Sequence, residues 1–211
     1  MLTEIVEKIF KKMGKEVELS FWSWKHGYEA TKQGEFVATF PYLKNKDREE
    51  EFYFSKPLFN ILLRGFTKND STIEYNQEKD LSGLMVCRPE GYSITKIKHL
   101  VDKDIIFLKR PKEMKNCFHM LKRGEVDIVL ANEFEAKGII NNEFGTNIYF
   151  KFIEKSFGEG PLHLIFPKSS PENIHLLYEF DQLLDQMAKE GDLAKIIKRH
   201  LMYYQAILKD K

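Results

Sequence analysis

The chain has 211 residues, with 33 Lys and Arg against 32 Asp and Glu, a formal net charge of +1, and 43% hydrophobic residues. That length accommodates one domain or two small lobes, and the apolar share supports a packed core. The near-neutral balance excludes nucleic acid as a partner, which demands a basic surplus, and no apolar run reaches the roughly 18–20 residues that membrane insertion needs.

The first segment reads as an amphipathic helix. Leu2, Ile5, Val6, Ile9 and Phe10 share one face, Glu7, Lys8, Lys11 and Lys12 lie opposite, Thr3 is the expected N-cap and Gly14 the stop. The basic, apolar and small regions of a secretory leader do not occur here, so the chain is expected to be cytoplasmic or trimmed of its leader. Glu16 to Trp22 alternates as a strand does. A helix from Lys25 to Lys32 stops at Gly34, a short buried strand runs from Phe36 to Phe40, and Phe52–Ser55 and Asn60–Phe66 read as extended segments. Residues 67–82 are polar and read as a connection between units.

Beyond that connection the periods alternate. Leu84–Cys87 predicts a strand, Ser93 the cap of a helix to Val101, and Ile105–Leu108 a strand. Pro111 opens a helix to Lys122, Asp127–Ala131 is a strand, Glu133–Ile140 a helix, and Ile148–Phe152 and Leu162–Phe166 are strands. Pro171 starts a long helix to Glu190, and Gly191 separates it from a last helix beginning at Asp192. Strands alternating with helices predict an α/β fold with a largely parallel sheet. Lys25–Phe40 resembles Lys115–Leu130 at a constant offset of 90, with Lys, Lys, Gly and Glu identical at 25/115, 32/122, 34/124 and 35/125. Each copy reads as helix, glycine cap, acid and strand, which favours two similar lobes. Cys87 and Cys117 are too few for a disulfide framework. They are read as two packed thiols, with a single bridge as the alternative.

Taken in order, several segments resemble the bacterial extracellular solute-binding proteins of family 3, the periplasmic receptors of amino-acid-type ABC transporters. The segments are Phe40-Pro41-Tyr42 through Arg48 to Phe54-Ser55-Lys56-Pro57-Leu58, Trp24-Lys25, Lys32-Gln33-Gly34-Glu35, Asp80-Leu81-Ser82-Gly83-Leu84-Met85-Val86, Leu121 to Asp127, and Phe166-Pro167-Lys168. The resemblance implies a periplasmic-binding-protein-like type II fold. Two α/β lobes, 1–66 plus 157–211 and 67–156, would be joined by a hinge around an inter-lobe ligand cleft. It also implies a periplasmic location, a small-molecule ligand, a membrane permease as partner, no cofactor and no metal. Family members begin with a strand ahead of the first helix. Its absence leaves lobe 1 incomplete, or the chain trimmed, and an incomplete lobe suggests a homodimer.

By position, Arg48 matches the family arginine that takes a ligand carboxylate, a task suited to its planar donor fork; the bland reading is a surface arginine paired with its acidic neighbours. Gly91, Tyr92 and Ser93 match the loop ahead of the first lobe-2 helix. Asn132 stands where amino-acid receptors carry an aspartate for the α-ammonium, and it supplies no countercharge. Trp24, Phe40, Tyr42 and Tyr92 would line an aromatic cleft, or belong to the core. The functions expected are therefore a binding receptor without catalytic residues, an enzyme on the same scaffold using Glu133, or a stand-alone sensory module.

Overall fold

A computed structural model describes residues 1–145 and 148–209. In chain order its elements begin with α1 (Leu2–Lys12), α2 (Trp24–Lys32), β1 (Thr39–Leu43), α3 (Lys46–Glu51), β2 (Phe52–Phe54) and β3 (Phe59–Lys68). A 3-10 turn at Glu78–Leu81 leads to β4 (Met85–Cys87), α4 (Lys98–Asp102), β5 (Phe107–Lys109), α5 (Met114–Arg123), β6 (Ile128–Asn132) and α6 (Glu133–Phe144). The chain closes with β7 (Phe150–Phe152), β8 (Gly158–Pro167), α7 (Asn173–Lys189) and α8 (Asp192–Lys209).

The fold is α/β, and contacts divide it into two units. Unit 1 is Met1–Trp22, His26–Phe59 and Pro161–Lys211; unit 2 is Ser23–Lys25 and Asn60–Gly160. Crossings expected near 66–67 and 156–157 thus fall at Phe59–Asn60 and Gly160–Pro161. Both lie inside continuous strands, β3 and β8, where no loop composition marks a boundary.

In unit 1, α1 buries Ile5, Val6, Ile9 and Phe10 against Leu58, Phe166, Phe180 and Leu184. This is the face that the apolar spacing predicts. Each fully buried side chain of this size contributes about 1.5–3 kcal/mol. β1 and β2 both pair antiparallel with β8, as Tyr42 opposite His163 and Tyr53 opposite Phe166 show. The strand expected at Phe36–Phe40 instead starts at Thr39, and Val37 is exposed.

No strand forms over Glu16–Trp22, where Phe21 and Trp22 are 85% and 58% exposed. Alternation makes an extended segment plausible, but a strand also needs a neighbour to take its N–H and C=O groups. The first helix starts at Leu2, with Met1 rather than Thr3 at its N-cap.

In unit 2, β4 runs parallel to both β5 and β6, while β3 is antiparallel to β6 and β7. The strand pairing is therefore mixed rather than largely parallel, because β3 and β8 return alongside strands of opposite direction. One core layer gathers Phe66, Cys87, Cys117, Phe118 and Val129; another gathers Leu81, Val86, Ile97, Leu100, Ile106 and Leu130. The two cysteines form a disulfide, which corrects the expectation of packed thiols. Linear spacing cannot show that α5 packs Cys117 against the end of β4. There both residues are fully buried and their Cα atoms are 5.6 Å apart, within the span of a bridge. The helix–glycine junctions of the internal resemblance are both present. Gly34 and Gly124 take φ of 86° and 75°, a left-handed conformation that glycine adopts without a Cβ penalty.

Candidate functional site

The sequence-derived candidates fall into two groups, one in each unit. In unit 1 the chain leaves β1 and turns at Asn45, whose Oδ1 accepts the Arg48 N–H at 2.9 Å and so starts α3. That short helix carries Arg48 back over β1. Its Nη1 donates to the Leu43 carbonyl at 2.7 Å, and its guanidinium lies 5.0 Å from the Tyr42 ring centroid and 5.8 Å from that of Tyr28.

Arg48 is 9% exposed, so it is not the surface arginine of the bland reading. Burial lowers its pKa, opposed by Tyr42 and Tyr28, and burial pushes the Tyr42 phenol up to about 12. Asp47 also favours the charged form of Arg48, while two other neighbouring acids have partners of their own. Glu51 accepts from the Tyr28 hydroxyl and from Lys32 Nζ, and Lys32 chiefly holds its carboxyl below the usual range. Glu49 pairs with Lys44 at 2.7 Å. Phe40, on β1, is half-buried against the unit 1 core.

The second group is in unit 2. Pro89–Ser93 follows β4, and Gly91 takes φ of 77° where the loop approaches Trp24 and Lys25; a Cβ there would lie 2.8 Å from the Lys25 nitrogen. Trp24 meets the Tyr92 ring edge-on at 5.4 Å, and Lys25 pairs with Glu90 at 3.1 Å. The Tyr92 hydroxyl donates to Glu135 on α6.

Asn132 is the N-cap of α6. Its Oδ1 accepts the Glu135 N–H at 2.9 Å and its Nδ2 donates to Glu135 Oε2 at 3.1 Å. Burial raises the Glu135 pKa, with Tyr92 and Arg88 opposing it, and burial likewise raises that of Tyr92. Glu133, the candidate base of the enzyme reading, pairs with Arg64 Nε at 2.7 Å.

Ser93 does not cap α4, which starts at Lys98 with Ile97 at its N-cap. An N-cap residue gives its carbonyl to the first turn, whereas the Ser93 carbonyl accepts from Arg88 Nε at 2.6 Å. Arg88 also donates to the Leu130 carbonyl, and Arg110 Nη2 donates to the carbonyls of Pro89 and Tyr92. Arg88, Arg110 and Glu135 were not among the sequence candidates. A legible signal was Arg88 directly after a buried apolar strand, a costly place for a cation without a task. Another was the Asn132-x-x-Glu135 spacing of a helix cap.

Both groups present donors, aromatic faces and fixed charge, an arrangement suited to holding a polar solute. Among the described residues, no cluster of three His, Cys, Asp or Glu side chains could hold a metal ion.

Residues 1–203 match the family described as bacterial extracellular solute-binding proteins, family 3. No curated protein is significantly similar in sequence. Among solved structures, the chain is similar to an ancestral arginine-binding protein bound to arginine (22% identity, 94% of this chain and 86% of that one, TM-score 0.79). It is also similar to an amino acid ABC transporter substrate-binding protein from Streptococcus pneumoniae bound to L-arginine (22%, 96% and 84%, 0.77). A histidine kinase sensor domain with similarity to periplasmic binding proteins matches as well (19%, 94% and 84%, 0.78). At these identities the likeness establishes the fold.

Proposed function

The chain belongs to the bacterial extracellular solute-binding proteins, family 3, and from that premise we propose that it is a receptor for a small, polar, carboxylate-bearing solute, serving an ABC-type transport system through a membrane permease. Arg48 is the observation that carries this reading. One of its nitrogens is anchored on the Leu43 carbonyl and its plane is flanked by two tyrosine rings. A guanidinium fixed in this way meets both oxygens of a carboxylate with little further loss of side-chain freedom.

Trp24, Phe40, Tyr42, Gly91, Tyr92, Ser93 and Asn132 are proposed as further ligand contacts. The Asn132 side chain, already bonded to Glu135 through both of its polar atoms, offers an α-ammonium no countercharge. The solute is therefore amino-acid-like in size and carboxylate, rather than selected for its ammonium. A periplasmic location is supported by the Cys87–Cys117 bridge, since disulfides persist in oxidising compartments, and no helix among the described residues is long and apolar enough to cross a membrane.

Binding without turnover is favoured by the engagement of Glu133 with Arg64. A stand-alone sensory role is the second reading, favoured by the similarity to a kinase sensor domain.

A thermal-shift screen of amino acids, organic acids and small peptides tests the reading, because a ligand at 100 times its Kd adds about 2.7 kcal/mol of stability. Calorimetry of Arg48→Ala follows. Loss of carboxylate binding with the fold intact is the expected result, and unchanged affinity refutes the carboxylate assignment.

A further inference from the structure

We propose that Arg88 and Arg110 are positioning residues for the loop Pro89–Ser93, setting its peptide groups so that two consecutive donors, the N–H groups of Ser93 and Ile94, face an anionic oxygen of the solute. The proposal deepens the ligand reading above and rests on it.

Three carbonyls in five residues are taken by these two side chains. Arg110 Nη2 donates to Pro89 at 2.7 Å and to Tyr92 at 2.9 Å, and Arg88 Nε donates to Ser93 at 2.6 Å. Arg88 is 4% exposed and is itself anchored, through Nη1, on the Leu130 carbonyl of β6 at 2.9 Å, with its plane 5.3 Å from the Tyr92 ring centroid. Tyr92 is held in turn by Glu135 and Trp24.

In a trans peptide, C=O and N–H point in opposite directions. Drawing the Tyr92 carbonyl to Arg110 therefore turns the Ser93 N–H away from it, and drawing the Ser93 carbonyl to Arg88 does the same for Ile94. Neither N–H meets an acceptor among the described residues. The Glu90 and Tyr92 N–H groups, by contrast, donate to the carbonyls of Pro111 and Pro89.

The residue type is itself informative. A neutral donor could hold a carbonyl, and burying a guanidinium is expensive. Two guanidiniums behind one loop also supply a positive field, which strengthens N–H bonds to an anion and does little for a neutral oxygen. A role confined to tying β4 to β6 would need Arg88 alone.

The test uses the full chain with Arg88→Met, Arg88→Lys and Arg110→Met. Without ligand, NMR amide exchange is expected to quicken at least tenfold at Glu90 and Tyr92 in both methionine variants, and to stay unchanged in β6. Unchanged exchange at those two amides overturns the positioning role whatever the chain binds.

With ligand, calorimetry compares L-arginine, L-glutamate, succinate and lactate, each beside its carboxamide. Affinity for the best acid is expected to fall at least tenfold in both methionine variants and by less in Arg88→Lys, while the amide changes less than threefold. Equal losses for acid and amide overturn the inference. Wild-type protein that binds none of the acids overturns the ligand reading instead, and the exchange result still decides the positioning role. Arg110→Met keeps the test available if Arg88→Met does not fold.

Discussion

Replacing both Cys87 and Cys117 by Ala removes a bridge that closes a loop of 30 residues. Loop-closure entropy for a cross-link of that span stabilises the folded chain by about 3.6 kcal/mol at 25 °C. Both residues are fully buried in the same core layer, beside Phe66, Phe118 and Val129, so no solvent-exposed alternative dilutes the effect. Urea unfolding followed by circular dichroism, with and without reductant, measures the loss. With a slope of about 2–3 kcal/mol/M for a chain of this size, the midpoint should fall by about 1.2–1.8 M. Both cysteines belong to unit 2, so the shift should appear in that unit's transition if the two units unfold separately. Reduced wild-type protein should reproduce most of the shift while leaving the packing of the thiols nearly intact. A midpoint that moves by less than about 0.3 M in both experiments would refute the reasoning, since a bridge formed in solution cannot be thermodynamically silent at that loop length.

Gly65→Ala should destabilise the protein by about 1–3 kcal/mol in the same assay. Its Cβ would lie 2.7 Å from the Phe157 ring and 3.2 Å from both Ile128 and Ile153, in a core with no space to yield. Gly91→Ala should weaken solute binding more than it lowers stability. At φ 77° its Cβ would meet the backbone of Lys25, and relieving that clash displaces the loop; isothermal calorimetry paired with melting temperatures separates the two effects. His163 donates through Nδ1 to the Ser55 carbonyl, and its buried Nε2 has no partner among the described residues. Burial lowers its pKa below the ordinary value of 6.5. The neutral ring thus contributes stability that is complete above pH 6.5 and is lost as pH falls through the depressed folded value. His163→Leu should flatten the stability profile below pH 6.5; an unchanged slope would assign that acid sensitivity to other groups.

Much of the architecture was legible because local patterns and tertiary packing agree. The apolar stripe of α1 is buried as its spacing predicts, and the alternation from Met85 to Phe144 resolves into strands and helices in the expected order, with α4 starting only at Lys98 rather than after Ser93. Failures occur where the deciding partner is distant in sequence. Glu16–Trp22 has the strand period but pairs with no strand among the described residues, and the disulfide depends on how α5 lies across β4.

The candidate site divides in the same way. Arg48 and the loop around Gly91 are candidates through resemblance and local punctuation. Arg88, Arg110 and Glu135 act by reaching carbonyls, a hydroxyl and a cap amide. Apart from the Asn132 cap amide three residues from Glu135, their partners lie 5 to 43 residues away, which no helix or strand period reveals.

The discontinuity of unit 1 has a consequence for vectorial synthesis. The face of α1 formed by Ile5, Val6, Ile9 and Phe10 packs on Phe166, Phe180, Leu184 and Met187, all of which lie after the return to unit 1 at Pro161. On a ribosome adding 5–20 residues per second, roughly 8–30 s separate the emergence of that apolar face from the emergence of these four side chains, and until then Leu58 and its half-buried neighbours offer only part of the cover. Unit 2, whose core is drawn almost wholly from one contiguous stretch, can complete itself within that interval. The amino-terminal helix is therefore a natural handle for a holdase, and a nascent chain stalled at Gly160 should still present it.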